Sequence, residues 1–112
     1  MDYRQINDDY AVTGQIATSD IDQIRAAGYR SIICNRPDDE QPGQPSAAEI
    51  AAAAAAADIV FRHIPVISGQ MTEADVMAMA EALDEIPGPV FAYCRSGARS
   101  TNIYQAAQQL KA

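Results

Sequence analysis

Leucine is nearly missing from this 112-residue chain, which carries two, whereas alanine supplies 22 residues. A core built on that composition is thin and helix-rich, and its strand-like runs must come from Ile and Val. Positive charge is also scarce: 8 Lys and Arg stand against 15 Asp and Glu, a net charge of −7 at pH 7. A field of that sign repels nucleic acid and anionic membrane surfaces, so neither is an expected partner. Cysteine is limited to Cys34 and Cys94, with no CxxC pair and no Cys/His grouping. That excludes a disulfide framework and a zinc site, and no metal or cofactor is expected. No apolar run approaches membrane-spanning length. Met1 leads into polar, charged residues instead of a leader, so the reducing cytoplasm is the expected compartment.

What is present is an alternation of strand and helix signals. It predicts an α/β fold, a parallel sheet flanked by helices, as one domain over residues 1–112. Strands are expected at Tyr10–Val12, Tyr29–Cys34, Ile59–Ile64 and Val90–Cys94. The last is apolar on both faces, which places it centrally in the sheet. Ser19 or Asp20 can cap a first helix that Gly28 stops, and Ser46-Ala47-Ala48-Glu49 has the form of a capping box ahead of Ala51–Ala57. Thr72 can cap a third helix with Val76, Met79, Ala80 and Leu83 on its apolar face, and a fourth presents Ile103, Ala106, Ala107 and Leu110.

The chemistry is concentrated in Cys94-Arg95-Ser96-Gly97-Ala98-Arg99, between the last strand and the last helix. Ligands of open α/β sheets sit beyond the carboxyl ends of the strands. At that position the amides of residues 95 to 99, through Ser96, Gly97 and Ala98, can converge on one anion, and the helix adds its positive end. Gly97 lets the chain turn. Arg95 and Arg99 add charge, and Arg99 can fork onto two oxygens. The same field stabilises a thiolate, so Cys94 is expected to be a nucleophile acting on a small anionic substrate. Packing as a small apolar residue is the alternative for a cysteine at a strand end.

The segment YCRSGARS, with TGQI near the start, IICNRPDDE after the second strand and HIPVISGQMTEADV before the third helix, resembles the phosphatase-like domain of the beta-lactamase hydrolase-like proteins. The resemblance covers nearly the whole chain. It implies the fold of tyrosine and dual-specificity phosphatases, a four-stranded, mainly parallel sheet flanked by helices. Two departures bear on activity. Phosphatases of this fold place five residues between nucleophile and arginine, whereas four lie between Cys94 and Arg99, the spacing of rhodaneses. The stretch Pro65–Gln70, where such phosphatases carry an acidic general acid, has no carboxylate, and Glu73 and Asp75 follow in a position suited to helix capping.

General acid catalysis is worth ~10²–10⁴-fold, whereas sulfite leaves thiosulfate readily as an anion. Sulfur transfer is therefore the expected activity, with Cys94 taking sulfur from thiosulfate or a persulfide and passing it to a small thiol or a thiol acceptor protein. Phosphomonoester hydrolysis through a phosphocysteine is the alternative, and a non-catalytic phosphate-binding module a second one.

Other residues carry two readings each. His63 is a strand residue or a catalytic base. Tyr93 is expected to pack. Arg36 can reach the site or pair with Asp38, Asp39 or Glu40. Ser100 resembles a hydroxyl donor to the nucleophile's sulfur and can equally cap the last helix. In the implied fold the strands ending at Cys34 and Cys94 are neighbours, about 4.8 Å apart, within the reach of a disulfide. Cys34 is therefore a candidate resolving thiol, or a packed core residue.

Overall fold

The computed structural model describes residues 1–112. Its strands are β1 (Arg4–Asn7), β2 (Tyr10–Thr13), β3 (Ser31–Cys34), β4 (Val60–His63) and β5 (Val90–Tyr93). Its helices are α1 (Ile21–Ala26), entered through a 3-10 turn at Thr18–Asp20, α2 (Ala47–Ala56), α3 (Glu73–Glu85) and α4 (Ala98–Lys111). The strands form one sheet in the order β1-β2-β5-β3-β4. β5 pairs parallel with β2 and β3, and β3 pairs parallel with β4. The expected sheet of four is thus extended to five by β1, which runs antiparallel to β2. Arg4, Gln5 and Asn7 are exposed at the sheet edge. Their polarity gives no strand signal; pairing with the backbone of β2 makes this segment a strand.

All four residues of β5 are buried, as a strand with neighbours on both sides and helices on both faces requires. Alternation along the strands separates two cores. Tyr10, Val12, Ile33, Val90 and Ala92 face Met79 of α3 and Ile103 and Ala107 of α4. On the other face Ala11, Ile32, Cys34, Phe91 and Tyr93 meet Ile24 of α1 and Ile50 and Ala54 of α2. The alanine run forms the expected helix, whose small side chains let it lie close to the sheet.

The capping box predicted at Ser46 and the cap predicted at Thr72 are both present, and the second is also a capping box. The Glu49 amide donates to Ser46 Oγ at 3.1 Å, and the Asp75 amide donates to Thr72 Oγ1 at 3.1 Å. Because β2, β3, β4 and β5 are parallel, their carboxyl ends share one edge of the sheet. There the Asn35 amide donates to Tyr93 O at 2.8 Å and the Val66 amide to Asn35 O at 3.0 Å. Asn35 Nδ2 reaches Ile64 O at 3.0 Å. These bonds tie the segments after β3, β4 and β5 into one rim, on which the functional loop sits.

Candidate active site

Cys94 follows the last residue of β5 and is fully buried. Its own amide donates to Thr13 O at 3.4 Å. The chain then turns back so that the Gly97 amide donates to Cys94 Sγ at 3.0 Å. Gly97 is the N-cap of α4 with φ of 93°, a left-handed conformation that costs a residue with a Cβ far more. Burial pushes the Cys94 thiol up, but the backbone amides of Ser100, Ser96, Gly97 and Arg99 outweigh it, and the thiol ionises below its ordinary range. Amides at a helix N-terminus favour the thiolate, the form of a cysteine that can act as a nucleophile.

A second glycine is required by close approach. A Cβ on Gly14 would stand 2.8 Å from Arg95 O, so the end of β2 can lie against the loop only without a side chain. The TGQI segment contributes through this contact. The loop and the rim enclose an open cavity of about 650 Å³, whose lining includes Arg95, Ser96, Ala98 and Arg99 on one side and Arg36 and Glu40 on the other. Arg95 is exposed, whereas Arg99 is half-buried.

The ion pair expected between Arg36 and one of the following acidic residues forms with Glu40, and Glu40 also meets Arg99, a contact with no signal in the sequence. Arg99 Nη1 donates to Glu40 Oε2 at 2.7 Å and Arg99 Nη2 to Glu40 Oε1 at 2.9 Å. Nη1 also donates to Val66 O at 2.9 Å. These bonds occupy the end of the guanidinium and leave its parallel Nε–H and Nη2–H edge without an oxygen acceptor, the edge suited to two oxygens of one anion. Arg36 Nε completes the clamp, donating to Glu40 Oε1 at 2.8 Å. Hydrogen bonding from Arg99, reinforced by Arg36, overcomes partial burial and holds the Glu40 carboxyl down to about 2. In turn Glu40, and then the Cys94 sulfur, raise Arg99 above its ordinary value. Arg36 is itself buried, and its remaining nitrogens reach Gln15 Oε1 at 3.0 Å and Gln41 Oε1 at 3.1 Å. The run of acidic residues after β3 hid that second contact, because in one dimension it looks like solvated charge. The spacing of four from Arg36 signals the first pair only.

His63 Nε2 lies 2.9 Å from the Arg36 carbonyl, so the ring braces the rim, and it does not line the cavity. Ser100 does not cap α4, since Gly97 does; its hydroxyl is buried without a partner, leaving it available to the adjacent sulfur. Asp75 caps α3 as expected, accepting from the Thr72 amide at 3.0 Å. Cys34 and Cys94 do end neighbouring strands, but Cys34 is in register with Tyr93. Cys34 belongs to the core under α1 and α2, and its thiol donates to Arg36 O at 3.3 Å. The Cys94 sulfur is held by α4 on the other side of the sheet. The two cysteines are thus one position out of register, and both are free thiols. Burial, only partly offset by hydrogen bonds with Tyr93 and Arg36, raises the Cys34 thiol. Tyr93 packs as expected.

A family model described as "Beta-lactamase hydrolase-like protein, phosphatase-like domain" matches residues 2–111. The beta-lactamase hydrolase-like protein of Agrobacterium fabrum is 39% identical over 106 residues, 95% of this chain. The chain spans about a quarter of the length of that relative. Among solved structures, a candidate phosphatase of Neisseria meningitidis matches with a TM-score of 0.83 and 31% identity, over 90% of this chain and 72% of that one. Tk-PTP in its active form matches with a TM-score of 0.63 over 97% of this chain and 82% of that one, and at 14% identity it speaks to the fold alone. The sheet and helices are thus those of the tyrosine-phosphatase-like fold. These likenesses favour the phosphatase alternative and lend no support to the sulfur-transfer expectation.

Proposed function

The chain belongs to the phosphatase-like domain family of the beta-lactamase hydrolase-like proteins, and on that premise we propose that it hydrolyses phosphate monoesters through a phosphocysteine on Cys94. The observation that carries this is the joint placement of a sulfur held by the Gly97 amide at 3.0 Å and an arginine whose far end is clamped by Glu40. A phosphoryl group bound there takes two oxygens to the open edge of Arg99 and others to the loop amides. These donors are fixed before the charge develops, so no reorganisation is needed in the transition state. The Cys94 thiolate attacks phosphorus and water then releases orthophosphate, with the stabilised thiolate as the second leaving group. The buried Ser100 hydroxyl can donate to the sulfur as it regains charge. The substrate is a small anion drawn to the arginines against the negative field of the chain, in a reducing, cytoplasmic setting that suits two free thiols.

One observation favours sulfur transfer as a second reading. Four residues separate Cys94 from Arg99, and a persulfide on Cys94 would then pass to a thiol acceptor. The two readings part in one experiment. The protein is incubated with an aryl phosphate or with thiosulfate, quenched in acid and weighed intact, and turnover is followed in parallel. A phosphoryl adduct on Cys94 with release of orthophosphate is expected. A one-sulfur adduct, removed by cyanide, with no phosphoryl adduct would reverse the choice. Absence of both adducts and of any turnover would leave a phosphate-binding module.

A further inference from the structure

A general acid has to stand within hydrogen-bond reach of the leaving oxygen and carry a proton at working pH. Glu40 is the one carboxyl group lining the cavity over the loop, and it is bridged by two guanidinium groups at 2.7 to 2.9 Å. Carboxylates so paired stay ionised at neutral pH. Asp39 does not line the cavity, and two further acidic groups of the rim are committed elsewhere. Asp38 Oδ1 accepts from the Ala47 amide at 2.8 Å, capping α2, and Asp75 caps α3 through the Thr72 amide. The His63 ring is engaged with the Arg36 carbonyl at 2.9 Å and does not line the cavity. The remaining polar groups of the cavity wall are arginines and the neutral side chains of Gln41, Ser68 and Ser96. The site is thus well supplied with charge for the phosphoryl oxygens and has no proton for a leaving group.

We propose that this site acts on phosphoryl compounds whose leaving group departs as a stable anion, namely acyl phosphates, phosphoanhydrides and phosphates of acidic phenols, and discriminates against alkyl phosphates. The inference rests on the phosphatase reading and names its substrate class. In the first step the Cys94 sulfur forms a bond to phosphorus while the bond from phosphorus to the leaving oxygen breaks. That oxygen keeps the electron pair and leaves unprotonated as carboxylate, phosphate or phenolate. In the second step water attacks phosphorus, the S–P bond returns its pair to sulfur, and orthophosphate and one proton are released. Neither step needs an oxidant or a further reactant. An alcohol would have to leave as an alkoxide, and such substrates forgo the ~10²–10⁴-fold that a general acid supplies.

The test is a series of phenyl phosphates graded by the acidity of the phenol, with acetyl phosphate, inorganic pyrophosphate and an alkyl phosphate alongside, assayed with wild type and Glu40→Gln. The expected result is that kcat/KM falls steeply as the leaving group becomes more basic, with the alkyl phosphate at least ~10²-fold below the most acidic phenol. Glu40→Gln should lower the whole series by a similar factor without changing its slope, and acetyl phosphate or pyrophosphate should turn over, the faster of the two marking the natural class. A flat series would show that the leaving group does not have to depart as a stable anion, and a slope that becomes steeper in Glu40→Gln would show that Glu40 delivers a proton; either would overturn the inference while leaving the phosphatase reading standing. Failure of acetyl phosphate and pyrophosphate where acidic phenyl phosphates react would likewise overturn the assignment. If even the most acidic phenol gives no turnover and no phosphocysteine, the phosphatase reading itself fails and the inference goes with it.

Discussion

Glu40 grips Arg99 by the end of its guanidinium, with both carboxylate oxygens on Nη1 and Nη2 at 2.7 and 2.9 Å, and leaves the Nε edge open. A residue from the loop after β3 therefore sets the aim of a residue that begins α4. The loop itself supplies charge; the fold supplies its direction.

That relationship predicts unequal roles for the two arginines of the loop. Arg99→Ala should lower kcat/KM by ~10²–10³-fold, the scale for losing one stabiliser of developing charge. Arg99→Lys should recover little of it, because an ammonium cannot offer two parallel donors. Arg95 is exposed on the cavity wall, and Arg95→Ala should cost less than tenfold. Steady-state kinetics on the three variants checks the ranking, and the reverse order would mean that the cradle is wrongly assigned.

Glu40 also links the clamp to acid stability. Its carboxyl is held at about 2, against an ordinary 4.5, chiefly by hydrogen bonding from Arg99. A depressed folded-state value favours the folded protein above the ordinary value, and that contribution is lost as pH falls from about 4.5 toward 2. Glu40→Gln should therefore be less stable than wild type at pH 6, with the gap in Tm closing below pH 4. A gap of the same size at pH 3 and pH 6 would show that the charge of Glu40 contributes nothing.

The thiols should titrate in opposite directions. Burial raises Cys94, but the amides of Ser100, Ser96, Gly97 and Arg99 bring it below its ordinary range, while burial raises Cys34. Alkylation by iodoacetamide, followed by peptide mass against pH, should modify Cys94 well below the pH needed for a free thiol and spare Cys34 throughout. Cys94→Ser should abolish both the fast labelling and turnover. Equal labelling of the two cysteines would contradict the amide cradle.

Gly14 tests the approach of β2 to the loop. A Cβ there meets Arg95 O at 2.8 Å, and forcing a methyl into such a contact costs roughly 1–3 kcal/mol. Gly14→Ala should fold, lose roughly 4–13 °C in Tm, and lose at least tenfold in kcat/KM as the loop shifts. An unchanged enzyme would mean that the loop yields without consequence.

Cys34 faces the core under α2, in register with Tyr93, so it should not resolve oxidised Cys94. After mild peroxide, non-reducing peptide mapping should find Cys94 oxidised beyond the thiol and Cys34 free. The rate should be the same in Cys34→Ala. A reversible Cys34–Cys94 cross-link that protects activity would restore the resolving role expected from adjacency of the strands alone.

Sequence alone determined the alternation of strands and helices, the central place of Val90–Tyr93, the caps at Ser46 and Thr72, and a cysteine and arginine in one loop ahead of α4. Those features are local or periodic: a buried strand needs unbroken apolar residues, a capped helix needs its Ser or Thr, and a phosphate cradle is made of consecutive amides. The tertiary structure decided the rest. Strand β1 exists because β2 offers it a backbone edge, Gly14 matters because Arg95 O comes within 2.8 Å of where its Cβ would be, and Cys34 lies one position out of register with Cys94 because β3 pairs it with Tyr93. Glu40 has no function in one dimension, where it is one acidic residue among several. It acquires one when parallel strands bring the loop after β3, 59 residues away in the chain, to the guanidinium of Arg99.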